Sequence, residues 1–564
     1  MSERERPNVV WIAMEDTSPR LGCYGDDLAR TPKIDRLAAS GRRFPNAFVT
    51  APVCAPSRSA IVTGCHQNSI GTHHMRTTHT NEDAPGLATP YEAVPPHYVR
   101  GITEYFRQAG YYCTLDVKTD YQFGEPFTMW DHHGGGAGWW DDAREDGQPF
   151  FTMVTNFVTH ESGMWEPDQR GPETGGTDGD GEEETLETDP DTVEVPPYLA
   201  DTEATRRAIA RQYDNVAASD AWVGDLLERL ERDGLAENTI VVLWSDHGEG
   251  LPRAKRWVYQ GGVNVPLIVR WPGVVDGGGV DERVVSLVDL GPTMLAACGL
   301  ERPRHLDGRP FLAEASAEAE RPREYAFVTR DRYDESYDVV RSVRDDRFTY
   351  VRHAEPGRPY RLWIPFRNRH PAMADLLRLD AAGALTGAQT WVGDRRPAEE
   401  LYDRVNDPHE TENLADDPSY AADLERLRGV LETWLERVDD AGARSEAQQV
   451  FEGWQGRKQP RTATPVVVPN APENREERVL EGGETLTEPA TLALHCSTQG
   501  ASVGYTLEDG DDAHWRLYRG PMTLEAGETT LRAKAVRYGY EASDTRTVTV
   551  VVGGDSRDEP ESAG

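Results

Sequence analysis

Three polar clusters in this chain each follow a short apolar run. Glu15 and Asp16 follow "NVVWIAM" (residues 8–14), His160 follows "TNFVT", and "SDHGEG" (Ser245 to Gly250) follows "TIVVLW". Carboxylates at the ends of buried strands must be paired, solvated or bound to a metal. Glu15, Asp16, Asp246 and His247 could together hold a hard divalent cation. Their oxygens favour Ca2+ or Mg2+, and the imidazole also admits Mn2+ or Zn2+. Taken singly, Asp-His-Gly is more often a turn than a ligand, and Glu-Asp after a strand is more often a helix cap. A further candidate is Cys54, in "TAPVCAPSRSAIVTG" (50–64), set just before Pro56-Ser57-Arg58. On its own it reads as a small buried hydrophobe at a helix start.

The apolar runs at 8–14, 149–158, 238–245 and 265–271 have the pattern of strands buried on both faces. "YYCTLDV" (111–117) adds a strand after a helical stretch at 98–110. "TPKIDRLAASG" (31–41) reads as a capped helix with an early proline and a terminal glycine, and 204–234 carry long helical periodicity. Alternating strands and helices predict an α/β fold, with a large, mostly parallel sheet flanked by helices. Such sheets place their sites beyond the carboxyl ends of the strands, where these clusters fall. The α/β core is expected over 1–320 and a smaller α+β subdomain over 321–454. A polar, proline-rich linker is expected over 455–475, a C-terminal β-sandwich over 476–553, and a disordered tail over 554–564. Residues 166–193, acidic and glycine-rich, read as a solvated surface insertion. Ca2+ binding there is the sharper reading, but the segment lacks EF-hand spacing.

The formal net charge of −37 argues against nucleic acid or an anionic membrane as partner. Only five lysines occur (33, 118, 255, 458 and 534), among abundant Asp, Glu and Arg. That balance looks halophilic: in molar salt the screening length is about 3 Å, so self-repulsion is tolerable. The six cysteines form no CxxC pair and read as free thiols. The first apolar run is too short for a signal peptide, and no segment approaches a membrane span, so a cytoplasmic location is expected.

Cys54-Ala55-Pro56-Ser57-Arg58, an acidic pair after the first strand and a later Asp-His-Gly together resemble the type I sulfatase family. The resemblance spans about residues 6–420 and includes "VYQGGVNVPLIVRWPG" and "ELYDRVNDPHETENLA". "MEDTSPRLGCYGD", "KTDYQF", "NFVTHES" and "DHGEGLPRAK" point to the branch of the heparan N-sulfoglucosamine sulfohydrolases. Residues 476–553 resemble the C-terminal module of chitobiases and hexosaminidases, with the usual Asp-Gly-Ser turn altered to Glu508-Asp509-Gly510-Asp511.

The resemblance implies an alkaline phosphatase-like fold and a sulfatase acting on a sulfate ester or sulfamate of a small molecule or saccharide. Cys54 would be oxidised to formylglycine by a separate formylglycine-generating enzyme that reads the C-x-P-x-R segment, with Arg58 steadying the product. Glu15, Asp16, Cys54, Asp246 and His247 would surround the cation, most simply Ca2+, with Mg2+ or Mn2+ as alternatives. The family more often has Asp-Asp and Asn, so Glu15 and His247 are departures. Lys118 and Lys255 match sulfate-binding lysines, and His160 matches the histidine beside the leaving group. Two of five lysines at these positions is support independent of the family. The family's histidine two residues beyond the first lysine is replaced by Asp120. Asp120 is therefore the first candidate for the regenerating base, ahead of His73, His74 and His79. His74, Asp334 and Glu335 are assigned to substrate. The alternatives are a phosphonate or phosphate monoester hydrolase and a non-catalytic glycan-binding protein.

Overall fold

The apolar runs become the centre of an eight-stranded sheet. The computed structural model describes residues 6–553 apart from 171–184, 317, 318, 320, 457, 475–478, 511 and 512. Half of the acidic insertion (171–184) and the whole tail at 554–564 therefore lie outside the described residues. Five strands make the body of the sheet: β1 (Asn8–Met14), β2 (Tyr112–Asp116), β3 (Phe150–Asn156), β4 (Thr239–Ser245) and β5 (Leu267–Arg270). Their spatial order is β2-β3-β1-β4-β5, with two-residue strands extending both edges. β2, β3, β1 and β4 are mutually parallel, and β5 runs antiparallel to β4.

β1 and β4 are buried at every position, as expected for strands covered by helices on both faces. Trp11 and Trp244 meet edge to face across them, 5.8 Å between ring centres. Register then decides where the chemistry falls. Met14 stands opposite both Asn156 and Ser245, so β1, β3 and β4 end at one level. The residues following each strand emerge side by side. One flank is covered by α2 (Glu203–Arg232), N-capped by the Thr202 side chain. Its Gln212 donates to the carbonyls of Asp16 (3.3 Å) and Thr159 (3.2 Å), tying together the loops after β1 and β3. Between β1 and β2 in the chain lies α1 (Cys54–Thr63), buried along its whole length and closed by Gly64 at φ 65°.

The α+β subdomain is a four-stranded antiparallel sheet: Ala326–Arg330, Val340–Arg344, Phe348–His353 and Glu399–Asp403. The helix Ala421–Val438 packs Leu427, Leu431 and Trp434 into its core. The helix expected over 98–110 is confined to Ile102–Gln108, because Gly101 is extended and donates its N–H to Tyr538 of the C-terminal module.

The expected linker is partly strand. Val466–Pro469 pairs antiparallel with Ala490–His495, and Val467 is buried in the sandwich core. A run of three valines has the β-branched character of a strand, and it outweighs the flanking prolines. The module is also docked on the α/β core. Tyr538 donates to Glu104 (2.9 Å) and stacks on Phe123 (4.9 Å), and Ser502 donates to Glu104 (2.6 Å). Among the described residues, no helix is long and apolar enough to cross a membrane.

Two of the buried histidines make this fold sensitive to acid. His66 lies edge-on against Trp434 (5.0 Å), and His370 caps the helix Pro371–Ala381 by accepting the Ala372 N–H (3.2 Å). Burial pushes both down to about 4. In the unfolded chain they take up protons near pH 6.5, so stability is full above that pH and is lost as pH falls toward 4. Denaturant midpoints measured across this window should fall steadily, and His370→Asn, which keeps the cap without the titration, should flatten the slope.

Candidate functional site

Cys54 opens α1, and the proline two residues on falls in the first turn, where its missing N–H costs no helical bond. The helix start is pinned to the loop after β4 by Ser57, whose hydroxyl donates to the Asp246 carbonyl (2.5 Å). That loop turns on Gly248. A Cβ there would lie 2.0 Å from the Gly261 carbonyl oxygen, so the Asp-His-Gly turn can cross the 260–263 segment only with glycine. The result sets Cys54 Sγ 3.3 Å from His247 Nε2.

Around this pair the clusters converge. Glu15, Asp16, Asp246 and His247 are all fully buried. The donor atoms of Asp16, Cys54, Asp246 and His247 lie within 4.8 Å of one another. His247 Nδ1 contacts the Gly248 carbonyl at 2.9 Å; a proton on Nδ1 leaves the Nε2 lone pair facing Asp16 Oδ1 at 3.0 Å. Two lone pairs at that separation need a proton or a cation between them. Without a proton on His247 Nε2, Asp16 Oδ1 receives no hydrogen bond among the described residues. Three carboxylates and one imidazole make a donor set for a hard divalent cation, so the residues fit such an ion. Glu15 belongs to an overlapping donor group with Asp16, Cys54 and His160, and its two oxygens also pair with Arg58 and Lys118.

Cations compensate the carboxylates. Arg58 pairs with Glu15 and with Asp246 (3.1 Å), Lys118 pairs with Glu15, and Lys255 reaches Asp16 (2.7 Å) and Glu161 (3.0 Å). Burial opposes ionisation of Asp16, yet Lys255 and His247 hold its carboxyl well below the usual range. Glu15 is raised, by burial first and then by Asp246 and Asp16. His247 is held well above its usual value, because Asp246 and Asp16 outweigh burial. His160 is pushed down to about 3 by burial and Lys255, so its imidazole is neutral near pH 7. Its Nε2 lies 3.4 Å from Lys255 Nζ, and its Nδ1 contacts the Ser162 hydroxyl at 2.9 Å.

Arg58 is the tie between β1 and β4, and both its partners are fully buried. Replacing it by methionine leaves Glu15 and Asp246 short of a cation. Removing one member of a buried ion pair costs about 3–5 kcal/mol, and the expected loss for Arg58→Met in equilibrium denaturation is of that size.

Cys54, Arg58, Glu15, Asp16, Lys118, His160, Lys255, Asp246 and His247 thus occupy one cluster. Among the described residues, the other candidates form no direct hydrogen bond or ion pair with these nine. Asp120 sits in a left-handed turn (φ 57°), and its charge acts on His79 and Tyr121. His74 is buried against His73 (4.2 Å between rings) and faces the Arg332 N–H. Asp334 is buried between Arg256 (2.7 Å) and Arg76 (2.9 Å), and Glu335 beside it is half-buried.

The sequence reading missed Glu161 and Arg256, the immediate neighbours of His160 and Lys255. With Asp334 and Arg76 they form a chain of ion pairs running from Asp16 through Lys255, Glu161 and Arg256. Arg76 ends it, 22% exposed, with its guanidinium 4.5 Å over the Phe366 ring. Adjacency to a predicted site residue is the signal that could have found the first two.

A mostly parallel sheet thus gathers carboxylates, imidazoles and lysines around one buried helix start, with a place for a divalent cation. The sulfatase family profile matches residues 7–144 and 136–300, the N-sulphoglucosamine sulphohydrolase C-terminal profile matches 248–364, and the chitobiase/beta-hexosaminidase C-terminal domain matches 480–547. The chain is 38% identical to an ulvan-active sulfatase of Formosa agariphila, covering 96% of this chain and 90% of that one. It is 30% identical to the human N-sulphoglucosamine sulphohydrolase, over 78% of this chain and 91% of the other. A solved structure in complex with its substrate D-glucosamine-2-N,6-O-disulfate shares the fold at a TM-score of 0.53 and 19% identity, covering 77% of this chain and 98% of that one. The chain belongs to the sulfatase family and is a sulfuric ester hydrolase.

Proposed function

We propose that the protein removes sulfate from a sulfated saccharide, using formylglycine made from Cys54 and a divalent cation at Asp16, Asp246, His247 and Glu15. The observation that carries this reading is the approach of Cys54 Sγ to His247 Nε2 (3.3 Å) inside a ring of buried carboxylates and lysines. The saccharide is supported by relatives that act on ulvan and on N-sulphoglucosamine.

Ca2+ suits the carboxylate-rich set best, with Mg2+ and Mn2+ as competitors. When bound, the cation would polarise sulfate oxygens and favour an ionised nucleophile. Formylglycine, as its hydrate, would supply an oxygen nucleophile that the thiol lacks. Cys54 is only 2% exposed, so the maturation enzyme has to act before this segment folds.

The remaining work falls to the chain's own side chains. Lys118 Nζ and Lys255 Nζ bind sulfate oxygens and stabilise the charge that grows on them. Compact ammonium groups suit a tetrahedral anion. Arg58 holds Glu15 and Asp246 in place. His160 Nε2 faces the Lys255 ammonium at 3.4 Å, a group that can only donate, so the neutral ring presents its lone pair there. Protonated at Nε2 as the bond to sulfur breaks, it hands that proton to the leaving oxygen or nitrogen. Asp120, whose charge reaches His79, is the proposed base for regenerating the aldehyde. Asp334 holds Arg76 toward the substrate, while His74 and Glu335 shape the surroundings. The acidic, lysine-poor surface suits a saline setting.

The test is release of inorganic sulfate from ulvan oligosaccharides and from N-sulfated glucosamine, beside matched aryl sulfate and aryl phosphate. The reading predicts turnover of at least one sulfated saccharide and a clear preference for aryl sulfate over aryl phosphate. A preference for the phosphate would assign the site to phosphoester hydrolysis instead.

A further inference from the structure

The docked C-terminal module encloses space as well as burying surface. A cavity of about 540 Å³ lies between it and the α/β core, within the range of ligand sites and at a domain junction, where such sites concentrate. Trp515 comes from the module and Phe127 from the core, their rings 6.0 Å apart and near perpendicular.

The polar groups in its walls are held in place. Asp131 accepts from Arg107 (2.6 Å) and the Cys113 N–H (2.8 Å), and it contacts His514 of the module (3.2 Å). Asp141 accepts from Tyr112 (3.2 Å) and contacts His132 (2.7 Å). Glu125 accepts from Thr119 (2.6 Å), the residue after Lys118, so one wall is the turn that delivers a lysine to the catalytic cluster. Asp142 is exposed at the rim.

Two features select the occupant. Aromatic walls with fixed carboxylates suit a ligand that alternates apolar C–H faces with hydroxyl donors, as a pyranose ring does. Among the described residues neither arginine nor lysine lines the cavity. Arg107 is engaged by Asp131, and Lys534 lies over the Phe127 and Trp515 rings, so Glu125, Asp141 and Asp142 leave the open wall without a lysine or arginine to receive a sulfate group.

We propose that this cavity binds an unsulfated saccharide, and that docking of the module builds the site. The inference goes beyond hydrolysis at Cys54 and does not rest on it. The division of labour follows from charge: lysines receive the sulfate at the catalytic cluster, and carboxylates receive sulfate-free sugar at the module junction.

The test is native affinity electrophoresis of the full chain in gels containing a soluble unsulfated glucan, galactan, mannan or xylan, and in gels containing dextran sulfate or carrageenan. The proposal expects retardation by at least one unsulfated polysaccharide and a loss of retention of at least tenfold in Trp515→Ala. Asp142→Ala, at the rim and outside the docking contacts, should weaken retention in the same gels. Both variants should keep the parent's rate on a small aryl sulfate. Retardation in no unsulfated gel, retardation by the sulfated polymers alone, or retention unchanged in both variants would overturn it. A chain that fails to hydrolyse sulfate yet is retarded would count against the catalytic reading and leave this one standing.

Discussion

Cys54→Ala should abolish sulfate ester hydrolysis, lowering kcat by on the order of 10⁴-fold or more, the scale seen when a covalent nucleophile is removed. The substitution is small and sits at the first position of a buried helix, so the fold should survive it. Thermal midpoints of parent and variant should nearly coincide, and divalent-cation binding, read by calorimetry, should persist because Asp16, Asp246 and His247 remain. A variant that keeps a tenth of the parent's rate would show that another group attacks sulfur.

Lys255→Ala should be the next most damaging change. Lys255 Nζ spans Asp16 (2.7 Å) and Glu161 (3.0 Å) and approaches His160 (3.4 Å). Removing a charge-stabilising donor from a buried site costs about 10²–10³-fold in kcat. The loss should fall on kcat more than on KM, because the ammonium counters charge that develops in the transition state. It should also release His160 from its cationic neighbour. With burial still acting, the imidazole should titrate above its present position near 3 but below the usual histidine value. An NMR titration of His160 separates this role from a purely structural one. Lys255→Arg should not restore the rate, since a planar guanidinium does not reproduce a compact ammonium between two carboxylates.

Most of the sheet was legible because its strands are buried on both faces. Runs such as "NVVWIAM" and "TIVVLW" have few other ways to fold, and the polar residues that follow them must lie at carboxyl ends. That rule alone brought Glu15, Asp16, His160, Asp246 and His247 to one region. Cys54 came only through the motif, since nothing in a lone cysteine before a proline distinguishes a reacting group from packing. The ion-pair chain through Glu161, Arg256, Asp334 and Arg76 stayed hidden for a different reason. In a chain of net charge −37, a charged residue reads as surface until burial is known. Asp334, read as a substrate contact, turns out to hold two arginines. The Val466–Pro469 strand was masked by polar and proline-rich neighbours. Docking of the module was illegible because it depends on pairs far apart in the chain, such as Glu104 with Tyr538.

The account depends most on the chemical state of residue 54. Protein made alongside a formylglycine-generating enzyme should be digested, and the peptide containing position 54 weighed. An aldehyde, with oxygen in place of sulfur and two hydrogens fewer, is the predicted species, and its abundance should track activity across preparations. Fully active protein in which every copy retains an unmodified thiol would contradict the account.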